Sequence, residues 1–307
     1  EQKMEEKQKL TSEQLENELK SRKTKALLAK ILTYGCGLLT ILLFAMNSYV
    51  AAVICLVLAF VGGYQMSKQG STIKTLLGDN VIKNLINEVF DGAEYAPFKH
   101  IDTTKVTEAG MVFPFEYDSV KGSDYIKGSY KGLDVELSDI ELRKVDTRYD
   151  ETAQQWKDEE QLVFKGQWLI CDFGKELSGE IHISDGAKKL RKQHKNDSVE
   201  MENTAFNDRF LVTSADAHEA YYILTPHMME YILTMAGRSG GEVYMAFLRG
   251  GKLHIAVKTE RDFFELGKTK TNIDELSSKF REEIKWFTDI IDVLRVEDTL
   301  YKKEREA

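Results

Sequence analysis

At 307 residues with a formal net charge of −8, the chain has room for one anchor and one or two compact domains. It lacks the basic balance that wholesale nucleic-acid binding needs to displace counterions. Its three cysteines, Cys36, Cys55 and Cys171, form no CxxC pair; a single cysteine outside the apolar stretch cannot build a thiolate zinc site or an internal disulfide. The sequence opens on Glu1 without a methionine, which leaves room for a start further upstream.

Residues 1–25 are dense in charge, and Thr11-Ser12-Glu13-Gln14 has the spacing of a capping box ahead of Leu15 and Leu19. A solvated helix is expected to run from there into the stretch Ala26 to Tyr64, whose only charge is Lys30. A bilayer core takes roughly 20 apolar residues to cross as a helix, and this stretch is nearly twice as long. Asn47-Ser48 breaks it in the middle. The pattern predicts one span over Leu27–Met46 and a second over Tyr49–Met66. Gly35, Gly37 and Ala45, with Ala51, Ala52 and Ala59, would let the two helices approach closely. A signal peptide has a single apolar region of about 7–15 residues, too short to match. Lys20, Arg22, Lys23, Lys25 and Lys30 precede the first span, Lys68 and Lys74 follow the second, and the turn carries no charge. By the positive-inside rule both flanks, and so both termini, are cytoplasmic.

The expected organisation is therefore a charged cytoplasmic helical segment over 1–25, a transmembrane hairpin over 26–66 and a soluble α+β domain over 67–307, with lipid bilayer as the partner of the hairpin. A leading helix over 71–90 follows from Ile73, Leu76, Leu77, Ile82, Leu85, Ile86 and Val89 at helical spacing, weakened at Gly78. Strands follow Pro97. Tyr125–Tyr130 and Leu133–Leu142 flank a Lys131-Gly132 hairpin turn. Leu162–Phe173 reads as a long strand with a bulge at Gly166. Glu180–Ile183 follows a turn at Gly179, and Ala187–Asp197 reads as a basic helix and loop. Phe210–Thr213 and Tyr221–Leu224 read as strands.

Thr225 then sits at a helix N-cap with Pro226 at the first helical position, and the helix stops at Gly237. Val243, Met245 and Phe247 alternate up one strand; Leu253, Ile255 and Val257 alternate down another, joined at Gly250-Gly251. Phe280, Ile284, Phe287, Ile291 and Leu294 have heptad-like spacing on a final helix, which serves as an apolar face against the sheet or as a dimer seam. The sum is a mostly antiparallel sheet of seven or eight strands with a C-terminal helix. One topology in this order is a small barrel closed by the last helix, as in pleckstrin-homology-like modules.

No catalytic constellation emerges. Gly237-Arg238-Ser239-Gly240-Gly241 has the letters of a nucleophile elbow, but a helix precedes it and a strand follows, the reverse of what the elbow requires. Gly267-Lys268-Thr269 lacks the glycine five residues earlier that completes a phosphate loop, since Asp262 stands there. The histidines have no metal-binding spacing, though His218, Glu219 and His227 could converge in space. Asp146, Asp150 and Glu151, and Asp158, Glu159 and Glu160, fall in polar stretches read as loops. No metal or other cofactor is expected. The densest basic run is Lys188, Lys189, Arg191, Lys192 and Lys195. Beside a cytoplasmic leaflet it could draw anionic lipid at about 1 kcal/mol per charge, or contact a partner; the plainer reading is a solvated loop.

Glu200-Met201-Glu202-Asn203, Phe206, Phe210 and Tyr221-Tyr222-Ile223-Leu224-Thr225-Pro226 resemble the signature stretch of a bacterial domain-of-unknown-function family, number 3137. Asp124-Tyr125-Ile126-Lys127-Gly128, Val163-Phe164-Lys165-Gly166 and Phe247 with Leu253-His254-Ile255-Ala256 resemble it too, so the likeness covers roughly Ile73 to Leu266. The resemblance implies a membrane-anchored protein of the bacterial inner membrane and brings no catalytic residue with it. The expected function is a non-enzymatic protein-interaction or scaffold module with a protein partner and no nucleic acid, or a homo-oligomer. A membrane-associated hydrolase and an anionic-lipid sensor are the alternatives.

Overall fold

The computed structural model describes residues 11–151, 154–172, 177–264 and 272–305. The chain divides into two compact units, Glu1–Leu85 with Leu266–Ser278, and Ile86–Glu265 with Lys279–Ala307.

The first unit is a helical hairpin. Helix α1 spans Ser12–Ala45 and is closed at its start by the expected capping box: Thr11 accepts from the Gln14 amide, and the Gln14 side chain accepts from the Thr11 amide. Asn47, with φ of 57°, turns the chain, and α2 follows over Tyr49–Leu77. Both helices are long and apolar enough to cross a membrane, and only 6% and 11% of their most apolar windows are buried. A core helix of a soluble protein would be mostly buried. The close contact lies elsewhere than expected. A Cβ at Gly35 or Gly37 would meet nothing, whereas one at Gly62 would lie 2.6 Å from Thr33 Oγ1 and 3.1 Å from the Ala29 carbonyl. Ala29, Ala52, Cys55 and Gly62 form the buried seam. Beyond it Arg22 donates to Gln69 at 3.1 Å, and further along α1 Leu15 and Leu19 are buried. The predicted helix over 71–90 is continuous with α2, and Gly78 begins a one-turn π segment, Gly78–Ile82, before α3 at Lys83–Val89.

The second unit is built on one antiparallel sheet. Its strands are β1 (Asp91–Ala96), β2 (Ser119–Tyr130), β3 (Leu133–Asp150), β4 (Gln155–Asp172), β5 (Ile181–Asp185), β6 (Ser198–Val199), β7 (Phe210–Ser214), β8 (Glu242–Leu248) and β9 (Lys252–Lys258). They lie in the order β1-β2-β3-β4-β9-β8-β5-β7-β6. The sheet is thus open, edged by β1 and β6, and is not the closed barrel of a pleckstrin-homology-like module. The α+β class and the C-terminal helix hold. Short helices intervene: α4 (Thr103–Glu108), α5 (Ala187–Leu190), α6 (Thr204–Arg209), α7 (Ala217–Ile223) and α8 (Pro226–Arg238).

Local chemistry explains most of these elements. Lys131 and Gly132 take φ of 51° and 82°, and Gly250 and Gly251 take 79° and 75°, the left-handed conformations their hairpin turns need. Thr225 caps α8 by accepting from the Met228 amide at 3.2 Å, and Pro226 occupies the first turn. The segment Tyr221–Leu224, expected as a strand, is helical through Ile223. The Asp216 carboxylate accepts from the amides of His218 and Glu219 and starts α7, overriding the strand preference of Tyr-Tyr-Ile. The bulge in β4 falls at Val163, since Leu142 pairs Phe164 and Arg143 pairs Leu162. Gly166 has another reason: a Cβ there would lie 1.9 Å from the Val257 carbonyl on β9.

One face of the sheet buries Ile140, Leu142, Phe164, Trp168, Tyr244 and Ala256 under α4 and the aromatic chain of Phe113, Phe115 and Tyr117. Helix α9, Ile273–Arg305, turns Phe280, Ile284, Phe287, Ile290 and Ile291 inward. Phe280 meets Phe264 and Phe287 meets Phe263, with ring centroids 5.0 and 5.7 Å apart, so this apolar stripe is spent within the unit. The side chain of Leu294, residue Phe173 and Gly267-Lys268-Thr269 lie outside the described residues.

Candidate functional site

Two features of the second unit leave chemistry unspent. The first is the distal half of the β3–β4 hairpin. β2 accompanies β3 only as far as Ser119 opposite Arg143, and β9 accompanies β4 only from Gly166 onward. From Lys144 opposite Gln161 to Asp150 opposite Gln155 the two strands pair only with each other. At about 3.3 Å per residue this is an arm roughly 20 Å long. Asp146 and Asp150, and Asp158, Glu159 and Glu160, expected in loops, are strand residues here.

Side-chain contacts brace the arm and its root. Thr147 Oγ1 donates to Asp158 at 2.7 Å, Lys121 Nζ reaches Glu160 at 2.7 Å, and the Val145 amide donates to Asp118 at 2.8 Å. Near its tip Tyr149 and Trp156 lie edge to face, centroids 5.3 Å apart, at 48% and 69% exposure. Residues 144–161 carry six carboxylates against three cations.

The second feature is a cleft of about 350 Å³ where the end of α8, β9 and the turn after it meet the middle of α9. Its floor is apolar: Val257, Phe263 and Phe287. The turn is pinned from beneath. Buried Asp139 accepts the Phe263 amide on both oxygens, at 2.8 and 2.7 Å, and Gln167 bridges Asp139 and the Arg261 carbonyl. Burial, and next the neighbouring Asp124, push the Asp139 carboxyl well above its ordinary value. Burial likewise raises Glu283, against the pull of Lys279. Ser239 belongs to the loop rather than to a nucleophile elbow. It ends α8, and its hydroxyl contacts the carbonyls of Ala236 and Gly241 and the Gly241 amide. No histidine lines this cleft among the described residues.

The other sequence candidates lie apart. In the basic run, Lys188 and Lys189 sit on α5 and Lys192 and Lys195 in the turns after it, all exposed; Arg191 donates to the Asn207 carbonyl. His218 does not join His227 in a metal site; among the described residues no cluster of three potential ligands forms. Glu219 is occupied in accepting from Ser178 and Gly179. His254 lines a separate pocket of about 270 Å³ with Lys105, Glu108, Glu136 and Lys252. Its Nδ1 accepts from the Trp168 indole at 3.2 Å, and burial, aided by Lys105 and Lys252, lowers its pKa to about 4. That ring is neutral at physiological pH. Cys171 is fully buried and its thiol is pushed up to about 12 by that burial, so it is a core residue.

Sequence reasoning found the loop at Arg238–Gly241 but neither the arm nor the cleft, whose lining runs from Gln167 to Phe287. Two aromatics, Tyr149 and Trp156, set among charged residues were the available signal for the arm.

No functionally curated protein matches the chain. Among solved structures, the crystal structure of the mycobacterial trehalose monomycolate transport factor A, TtfA, is similar at 11% identity and a TM-score of 0.36. That alignment covers 65% of this chain and 87% of that one, and the likeness is too slight to bear on fold or function. The family resemblance read from the sequence began near Ile73. The matched stretch begins later, within β4, and extends into α9. Over residues 162–296 the chain matches the model of a protein family of unknown function, DUF3137, and that match supports its membership of the family.

Proposed function

We propose that the chain is a membrane-anchored, non-catalytic interaction module of the bacterial inner membrane, held in the bilayer by residues 26–66 with both termini cytoplasmic, and that the β3–β4 arm docks it onto a partner protein. The observation that carries this is the exposed Tyr149–Trp156 pair near the tip of a ribbon whose two strands, among the described residues, form ladder pairs only with each other. An isolated two-stranded hairpin is marginal in water, and exposed tryptophan is a common anchor of binding energy. Six carboxylates on the arm favour a partner with a basic rim around an apolar pocket. The same charge disfavours nucleic acid and an anionic leaflet as the arm's target.

The test is photocrosslinking in cells, with a benzophenone amino acid in place of Gln155 in the full chain. One discrete adduct is expected, lost on Trp156→Ala and on joint reversal of Asp158, Glu159 and Glu160 to lysine. An adduct of twice the chain's mass would make the partner a second copy. Lipid adducts alone, or an adduct indifferent to both changes, would sink the docking role.

The exposure of Lys188, Lys189, Lys192 and Lys195 keeps a second reading, contact with anionic lipid. Changing the four to glutamine in the full chain should then reduce lipid crosslinking near α5, and unchanged crosslinking would dismiss it.

A further inference from the structure

We infer that the cleft between α8, β9 and α9 is a binding site for a small amphiphilic anion, a phosphate or carboxylate head on a single short apolar body. The cations supply the head-group site. Arg238 is the last residue of α8, and Arg261 leaves the turn after β9. The Arg261 guanidinium lies over Gly240, with Nη2 3.8 Å from where a Cβ would stand, which brings it to the loop that Arg238 opens. Neither arginine has an ion-pair partner within 4 Å among the described residues, and both are exposed.

The nearby carboxylates are mostly engaged. Asp262 pairs with Lys165 at 3.0 Å. Glu283 accepts from the Phe264 amide at 3.2 Å and faces Lys279 at 3.4 Å. Among the described residues that line the cleft, Glu282 is the carboxylate that stands open at the rim. Two guanidinium forks against one exposed carboxylate favour an anion, and their planar geometry suits phosphate or carboxylate.

The apolar part of the lining explains why a bare anion is not the best occupant. Val257, Phe263 and Phe287 are buried around the floor, and the Trp286 ring forms a wall. The Trp286 indole N–H is screened from solvent and has no hydrogen-bond partner among the described residues. An unmet buried donor is unfavourable, and a modest turn of the ring toward a bound oxygen would satisfy it. The volume is near the lower end of small-molecule sites, which begin at about 300 Å³. One short chain or one ring fits; a two-chain phospholipid does not. The arm takes no part, so this site stands or falls apart from the docking role.

The experiment uses the full chain in phosphatidylcholine nanodiscs, labelled with 5-fluorotryptophan. Its three tryptophans, Trp156, Trp168 and Trp286, are assigned in the ¹⁹F spectrum by Trp156→Phe and Trp286→Phe. Octyl phosphate, octanol and inorganic phosphate are titrated separately. A parallel nanodisc carries lysophosphatidic acid, so that a lipid-borne source is told from a soluble one. The expected result is a saturable shift of the Trp286 resonance with octyl phosphate or the lysophospholipid. Octanol and inorganic phosphate should need at least tenfold more. The double change Arg238→Gln with Arg261→Gln should weaken the response tenfold or more while the Trp168 resonance, reporting the intact core, stays in place. Equal response to octanol or to inorganic phosphate, an unchanged affinity in the double variant, or no shift at millimolar octyl phosphate would overturn the inference.

Discussion

Strands β3 and β4 are each eighteen residues long, and their two halves live in different solvents. In the proximal half Trp168 is wholly buried, its indole bonded to His254. In the distal half Trp156 stands 69% exposed, in the same strand and the same hydrogen-bonded ladder. Backbone pairing is therefore not what separates a stable sheet from a free arm. Flanking strands and a covering layer are, because net hydrogen-bond gain is small beside the burial of large side chains.

The largest expected effect compares the two tryptophans. Trp168→Ala should destabilise the fold by about 3–5 kcal/mol through the cavity it leaves, whereas Trp156→Ala should stay within about 0.5 kcal/mol. Thermal and denaturant unfolding of the full chain in nanodiscs, followed by near-ultraviolet circular dichroism, measures both. Equal losses would mean that the arm packs on something and that the contrast fails.

Next comes Asp139, which joins the proximal half of β3 to the turn before α9. Asp139→Ala leaves the Phe263 amide without its acceptor in a buried place, a loss of about 1–3 kcal/mol. The pH dependence has a definite sign. A carboxyl raised in the folded state contributes stability that is fully present below its unfolded value and is lost as pH rises through its folded value. Asp139 and Glu283 are both raised, so part of the stability should decline from the ordinary carboxylate range upward. Asp139→Asn should flatten that decline. A steeper decline in the variant would contradict the assignment.

Thr225→Ala should cost about 1 kcal/mol, the usual value of a helix N-cap; a melting curve identical to the parent would show that Pro226 alone fixes the start of α8. This cap was legible because its cause is local, as were the box at Thr11 and the glycine turns at Gly132 and Gly250. What escaped the sequence depended on distant partners. Tyr221–Ile223 has strand-like residues, yet the cap that makes it helical is five residues upstream, at Asp216. The arm resembles a loop in composition because both faces meet water, so no apolar alternation marks it. Gly62, rather than Gly35 or Gly37, makes the helix seam because the choice depends on which face α1 presents at Ala29 and Thr33. The cleft is less visible still. Gln167, Arg238, Arg261 and Trp286 share no spacing, and only the folding of α9 onto the sheet brings them together.

The smallest effect probes the junction between the two halves. Asp118 accepts the Val145 amide at 2.8 Å, just beyond the last β2–β3 pair. Asp118→Ala removes a side-chain acceptor at the root of the arm and touches nothing in the aromatic layer beneath. The midpoint of unfolding should not move. Amide exchange from Val145 to Tyr149 should quicken, while Leu137 and Leu169, both fully buried in the proximal half, keep exchange rates set by global unfolding. Faster exchange at Leu137 and Leu169 as well would make arm and sheet one cooperative unit. If only the arm loosens, its order is separable from the fold and rests on side-chain contacts such as Asp118–Val145 and Thr147–Asp158 rather than on a core.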